Sequence, residues 1–291
     1  MNNTSILRTF PPLTSALPLM AGAVPTMAET IVGLAAQNRV LTFDSANPGM
    51  VSASVEVTGL SAGETLVGID FRPLTGELYA LGRSSRIYVV NAGTGAATAV
   101  GSGPFATAVS GDAFGFDFNP TVDRIRLVSD NGQNLRLHPV TGAVAATDLP
   151  LNYAAGDVNQ GQPPQAVGAA YTQNLAGATT TTLYVMDSVL DVLVRQIPPN
   201  NGTLNTVGSL GVNITDTTGF DISGATGTAY ASFVKAGESW SGLYTVDLSS
   251  GAASWAGDIG SRQLLLDIAV VPEPGGRRTV DASAQKVCGG Q

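Results

Sequence analysis

The chain of 291 residues carries 22 acidic against 14 basic side chains, a formal net charge of -8. That balance argues against a nucleic-acid partner, which requires a basic face, and against binding to anionic membrane surfaces. One cysteine, Cys288, and one histidine, His138, leave no means of building an intrachain disulfide, a Cys-based zinc or iron–sulfur site, or a His₂ or His₃ metal centre.

Residues 1–29 differ in composition from the rest. Arg8 precedes a mildly apolar stretch over residues 10–24, and small-x-small sites follow at Ala21-Gly22-Ala23 and Thr26-Met27-Ala28. This reads as a signal peptide cleaved near Ala28, which puts the mature protein in the extracellular or periplasmic space. Prolines interrupt the apolar run, so a disordered leader is the competing reading. No run of 18 apolar residues occurs, and no membrane span is expected.

The domain is expected over residues 30–271. Three strand-like runs come first, at residues 32–34, 39–43 and 52–57, with a Pro48-Gly49 turn between the last two. A motif then repeats: VGIDF from Val67, FGFDF from Phe114, the degenerate VGAAY from Val167, TGFDI from Thr218 and LLLDIAV from Leu264. The slots for the acid are Asp70, Asp117, Ala170, Asp221 and Asp267, spaced by 47, 53, 51 and 46 residues. Each of the first four copies opens a unit with three further strand-like runs. Gly turns precede the last run of each: Thr94-Gly95, Thr141-Gly142, Asn201-Gly202 and Ser250-Gly251. Gly and Asn tolerate the positive φ that tight hairpins need. A repeat of this length holding four strands is a propeller blade. The fifth inner strand, residues 266–271, has no outer strands after it, and the first three strands have no inner strand before them. The two fragments complete each other. The fold class is all-β, a five-bladed β-propeller whose last blade is closed by N- and C-terminal strands, which removes the edges of an open array. A Gly-, Pro- and Asn-rich insert, residues 152–165, is predicted as a loop between the second and third units. Residues 272–291 are expected to form a disordered tail.

The runs GETLVGIDFRPLTGELYALG, AFGFDFNPTVDRIRLVSDNGQNLRL, TTLYVMDSVLDVLVRQ and PPNNGTLNTVGSLGV resemble a bacterial family known as domain of unknown function 4394, over about residues 30–271. The resemblance carries no activity, cofactor or catalytic residue with it; some members are exported, in line with the signal-peptide reading. Val271-Pro272-Glu273-Pro274-Gly275 is similar to the opening of a bacterial protein-sorting tail, but the membrane helix such tails continue with is missing from this sequence.

Three sets of residues are candidates for a site. Asp70, Asp117, Asp221 and Asp267 lie on inner strands, which line the central channel of a propeller. They either hold a hard cation such as Ca²⁺ or accept backbone N–H groups of a neighbouring blade and set the blade spacing. Repetition favours the structural role. The long insert and the lapsed acid at Ala170 break the symmetry at the third blade. Tyr153, Asp157 and Asn159 are therefore candidates for a ligand loop, with a neutral insertion as the alternative. Arg124, Arg126 and Arg136 form a basic spot on the second blade, either an anion pocket or a set of ion pairs with acids such as Asp123 and Asp148. His138, predicted in a third strand, stands in no catalytic context, and Trp240 lies in a loop where it either faces a ligand or is half-buried. The sequence thus favours a secreted, non-enzymatic propeller that binds a small ligand, a glycan or a protein through one face. The rival is a metal-dependent hydrolase of lactonase or glycosidase type with a cation in the channel.

Overall fold

The structure, a computed structural model, describes Met1 and residues 28–273. The predicted leader before Ala28, Cys288 and the tail from Pro274 onward lie outside the described residues. Strands β1 (Thr30–Ala35), β2 (Arg39–Asp44) and β3 (Asn47–Glu56) come first. Blade one is β4 (Leu66–Phe71), β5 (Leu78–Gly82), β6 (Arg86–Val90) and β7 (Ala97–Val100). Blade two is β8 (Phe114–Asn119), β9 (Arg124–Ser129), β10 (Asn134–Leu137) and β11 (Val144–Thr147). Next come β12 (Asn152–Tyr153), then blade three, β13 (Ala166–Tyr171), β14 (Leu183–Asp187), β15 (Val192–Gln196) and β16 (Thr203–Ser209). Blade four is β17 (Ile214–Ile222), β18 (Ala229–Lys235), β19 (Gly242–Val246) and β20 (Ala253–Asp258), and β21 (Leu265–Val270) ends the fold.

These strands form five antiparallel meanders, and the fifth blade has the order β21-β1-β2-β3, so the two ends of the chain close the ring as expected. The inner strands β4, β8, β13, β17 and β21 touch one another in ring order, with β21 returning to β4. They are packed on both faces, which is why they read as nearly unbroken apolar runs rather than alternating ones. Burial fades toward the rim, where β7 and β20 are largely exposed. The core is divided into five clusters, each in the seam between two blades. Phe43 and Ile31 meet Tyr230 and Leu243 in the seam of blades four and five, and Tyr79 and Leu81 meet Phe116 and Phe118 in that of blades one and two. Among the described residues no helix is long and apolar enough to cross a membrane.

Gly219 shows why the inner motif carries a glycine. A Cβ there would meet Ile268 N at 2.5 Å and Asp267 Cα at 2.7 Å, so any side chain would push β17 away from β21. Gly142 serves the outer rim. Its φ of +69° suits the hairpin, and a Cβ would sit 2.5 Å from the carbonyl oxygen of Val100 in the preceding blade.

The insert departs from its predicted form. It opens as a strand, β12, which pairs in parallel with β16 and gives blade three a fifth strand at its outer edge. Asn152 N–H donates to Gly202 O and Ala154 N–H to Leu204 O, both at 2.9 Å. Two residues are too few to show a period-2 pattern in the sequence.

Candidate functional site

The inner-strand acids are placed by register. In blade one Asp70 faces Tyr79 across β4 and β5. In blade five the residue opposite Val32 is Ala269, and Val32 lies 47 residues before Tyr79, the length of one unit. Ala269 therefore occupies the slot of Asp70, Asp117 and Asp221, and Asp267 does not. Asp267 stands two residues earlier, level with Gly68, Gly115, Gly168 and Gly219. Gly68 confirms the level, since a Cβ there would lie 3.5 Å from Asp267 Oδ2. This corrects the four-acid convergence expected from the motif. Asp70, Asp117 and Asp221 converge, with carboxylate oxygens within 4.8 Å of one another. Asp267 belongs to a separate layer, its two oxygens accepting Ile268 N–H at 2.9 Å and Ile69 N–H at 2.8 Å.

The three converging acids have a complete bonding pattern. The residue after each slot presents an inward N–H: Phe71, Phe118, Tyr171, Ile222 and Val270. Asp70 accepts Phe71 N–H and, from the next blade, Phe118 N–H, both at 2.7 Å. Asp117 accepts Tyr171 N–H of the next blade at 2.9 Å. Asp221 accepts Ile222 N–H and, from the next blade, Val270 N–H, both at 2.6 Å. Asp70 and Asp221 each follow a blade whose slot holds alanine, and each turns one oxygen back to its own strand to cover the donor that blade leaves free. Ala170 and Ala269 thereby cost no hydrogen bond. Of the six oxygens only the second of Asp117 accepts no hydrogen bond among the described residues.

Each of these acids is 1 % exposed. Burial pushes Asp70 well above the ordinary carboxylate range, with the charge of Asp221 adding to it. Burial does the same to Asp117, reinforced by the charges of Asp70 and Asp221, and lifts Asp221 to about 7. The backbone donors oppose these shifts without cancelling them. Three carboxylates this close cannot all stay ionised alone. They suit shared protons or a small cation.

The loop candidates are committed to the scaffold. Tyr153 is buried, and its hydroxyl donates to Asp187 Oδ2 at 2.8 Å. Asp157 accepts Thr206 N–H at 2.6 Å and Thr206 Oγ1–H at 2.7 Å, and Asn159 Nδ2 donates to Thr206 Oγ1 at 3.0 Å. Tyr153 ties the insert to β14, and Asp157 and Asn159 tie it to β16 near the edge of blade three; none lines a described cavity. Asp157→Ala is expected to lower stability by about 1 kcal/mol, read as the midpoint of urea unfolding, and to free the insert for proteolysis. An unchanged midpoint with unchanged proteolysis would remove the loop's anchoring role.

The basic spot of blade two faces blade three. Arg126, 2 % exposed, and Arg136 share Asp148, at 2.6 Å and 2.8 Å. Asp123 pairs instead with Arg72 of blade one, at 2.5 Å. That ion pair pulls Asp123 below the ordinary carboxylate value, the Arg72 hydrogen bond being the main cause. Arg124 has no carboxylate partner among the described residues, and its Nη1 donates to the Asp123 carbonyl at 2.7 Å. A cleft of about 230 Å³ between the two blades is lined by Arg124, Arg126, Arg136, Asn119, Tyr171 and Asn200, among others. The arginines on alternate positions of β9 were legible in the sequence; Tyr171 and Asn200, brought from blade three, were not. His138 lies just past β10 in a hairpin, its Nδ1 accepting Val140 N–H at 3.2 Å. Trp240 is half-buried, with the Arg262 guanidinium 4.3 Å above its ring. Two larger hollows, about 490 and 420 Å³, lie along β3, and Arg39 is the one basic residue lining them.

The model of the family described as Domain of unknown function (DUF4394) matches residues 39–269. No curated protein matches the chain. Among solved structures, a Bacteroides thetaiotaomicron VPI-5482 protein of unknown function is 16% identical with a TM-score of 0.48, covering 84% of this chain and 66% of its own. Myxococcus xanthus glutaminyl cyclase is 12% identical with a TM-score of 0.46, covering 73% of this chain and 84% of its own. Kuenenia stuttgartiensis hydrazine synthase is 14% identical with a TM-score of 0.40, covering 70% of this chain; the present chain spans about half, 52%, of that one.

Proposed function

The chain belongs to the family described as Domain of unknown function (DUF4394), and from that footing we propose that its five-bladed ring is a binding module that takes a small ligand on one face without transforming it. The observation that carries this reading is the fate of the acids. Among the described residues the one close group of three acids a hydrolase would use, Asp70, Asp117 and Asp221, is 1 % exposed and spends five of its six oxygens on backbone N–H groups of the ring. A general acid or base has to come within about 3 Å of the group it serves, and these cannot. The cleft between blades two and three, in contrast, opens to solvent and carries polar groups with unused hydrogen-bonding capacity. The leader-like residues before Ala28 add export to the proposal; mass spectrometry of the N-terminus of cell-exported protein should find cleavage near Ala28, and an intact Met1 there would remove that part.

The rival, a hydrolase with a channel cation, draws on the 4.8 Å grouping of the three acids, which suits a hard cation. One assay separates the two. The full chain is tested for hydrolysis of lactone and aryl-glycoside substrates in Ca²⁺ and in EDTA. We expect no turnover above buffer in either. Ca²⁺-dependent turnover that disappears in Asp117→Asn would overturn the binding-module reading in favour of the hydrolase.

A further inference from the structure

We infer that the cleft between blades two and three is a site for a compact, acceptor-rich dianion, a small dicarboxylate or a phosphate, held by Arg124 and Arg136. This rests on the binding-module reading and names the ligand class for it.

Charge gives the first argument. Around the cleft stand Arg72, Arg124, Arg126 and Arg136 against Asp123 and Asp148, so two positive charges are left without an acid there, on a chain whose net charge is -8. An acidic protein that sets four arginines around one cleft concentrates a positive field where a small anion can use it.

The hydrogen-bond inventory gives the second. The acceptors of the cleft are spent. Asp148 takes three guanidinium N–H groups from Arg126 and Arg136. Asn200 Oδ1 accepts from Arg126 at 2.8 Å, and Asn119 Oδ1 accepts the N–H and hydroxyl of Thr121. These bonds also fix which end of each amide faces the cleft. The donors are not spent. Among the described residues Nε and Nη2 of Arg124, Nη1 of Arg136, and Nδ2 of both Asn119 and Asn200 have no acceptor. Tyr171 Oη accepts from Arg126 Nε at 3.4 Å and keeps its own proton to give. A cleft whose free groups are all donors selects a ligand made of acceptors. Two guanidinium edges in it favour planar or tetrahedral oxyanions over a neutral sugar.

Size gives the third. At about 230 Å³ the cleft falls below the roughly 300–1,000 Å³ of drug-sized ligand sites. Arg126 is the buried floor, fixed by Asp148, Asn134 and Asn200, and Arg124 and Arg136 are the partly exposed arms. The preorganised floor leaves only the two arms to order on binding.

The test is isothermal titration calorimetry of the full chain with succinate, inorganic phosphate and, as the uncharged control, succinamide. We expect succinate or phosphate to bind with a dissociation constant below about 1 mM, weakening with added salt, and no heat from succinamide. Arg124→Ala should weaken binding about tenfold or more, since it removes charge-assisted hydrogen bonds. Arg124→Gln, which keeps the chain length, guards against a folding effect and should weaken it equally, with both variants retaining the wild-type unfolding midpoint. Binding of one anion alone identifies the source, carboxylate or phosphate, and supports the site. Absence of binding by both, or binding unchanged in the Arg124 variants, would overturn it. The hydrolysis assay fails or succeeds separately: turnover would sink the binding-module reading with the anion titration intact, and silent titrations with no turnover would sink the anion site alone.

Discussion

A chain ending at Gln263 is expected to lose the cooperative unfolding of the full protein and to aggregate. The closing strand β21 puts Leu265, Ile268, Ala269 and Val270 into the seams on either side of blade five, each at most 7 % exposed. Burying a large aliphatic side chain contributes about 1.5–3 kcal/mol, so three of them account for roughly 5–9 kcal/mol, as much as the whole stability of many domains. The loss goes beyond burial. β1 would present an unpaired edge along the ladder it shares with β21. Asp221 would lose Val270 N–H, and Ile69 N–H would lose Asp267. A chain ending at Glu273 keeps the strand and is the control. Differential scanning calorimetry with light scattering checks the outcome. A Gln263-terminated chain that stayed monomeric with the control's melting temperature would remove ring closure as a source of stability.

The blade repeat was legible because its signals are local. The inner motif, the following Gly turns and the lengths of the units sit within about 50 residues of one another, and they gave five blades and the shared last one. What the sequence misassigned depends on partners far along the chain. LLLDIAV offers one acid, and the motif alone aligns it with Asp70. Its register is set by β1, where Val32 selects Ala269, and no feature of the last strand announces that pairing. The bonds expected from repetition, each acid to backbone N–H of the next blade, are present at Asp70, Asp117 and Asp221. The insert was read from its composition, which marks a loop correctly but says nothing about Thr206 and Asp187, the groups that hold it down. The cleft was half legible. Alternation placed Arg124 and Arg126 together on β9, and the other wall arrives from β13 and the turn at Pro199–Asn201.

Two substitutions in the channel are expected to differ sharply in their effect on stability. Asp70→Ala leaves Phe71 and Phe118 N–H buried without an acceptor. At about 1–3 kcal/mol for each group, the loss is about 2–6 kcal/mol. Asp117 accepts one N–H only, so in Asp117→Asn the amide oxygen keeps Tyr171 N–H. The amide nitrogen replaces the oxygen that had no partner and becomes a donor beside two carboxylates. Asp117→Asn should therefore be neutral or stabilising at pH 7. The pH profile follows from the same geometry. The folded-state carboxyls sit above their unfolded values, Asp221 moving from 3.8 to about 7, so the folded protein binds more protons than the unfolded chain between those values. The contribution of Asp221 is fully present below about pH 4 and is lost as pH rises through about 7; Asp70 and Asp117 act in the same direction. For Asp221 alone the span corresponds to on the order of 4 kcal/mol. Urea unfolding in EDTA at pH 4.5 and 7.5 should show wild type less stable at the higher pH through these groups, with a smaller fall in Asp117→Asn. Ca²⁺ that restores stability at pH 7.5 in wild type and not in Asp117→Asn would assign the excess negative charge to a cation rather than to protons. Equal losses in Asp70→Ala and Asp117→Asn, with the same pH profile in both, would contradict the accounting of donors and oxygens on which the blade-to-blade ring rests.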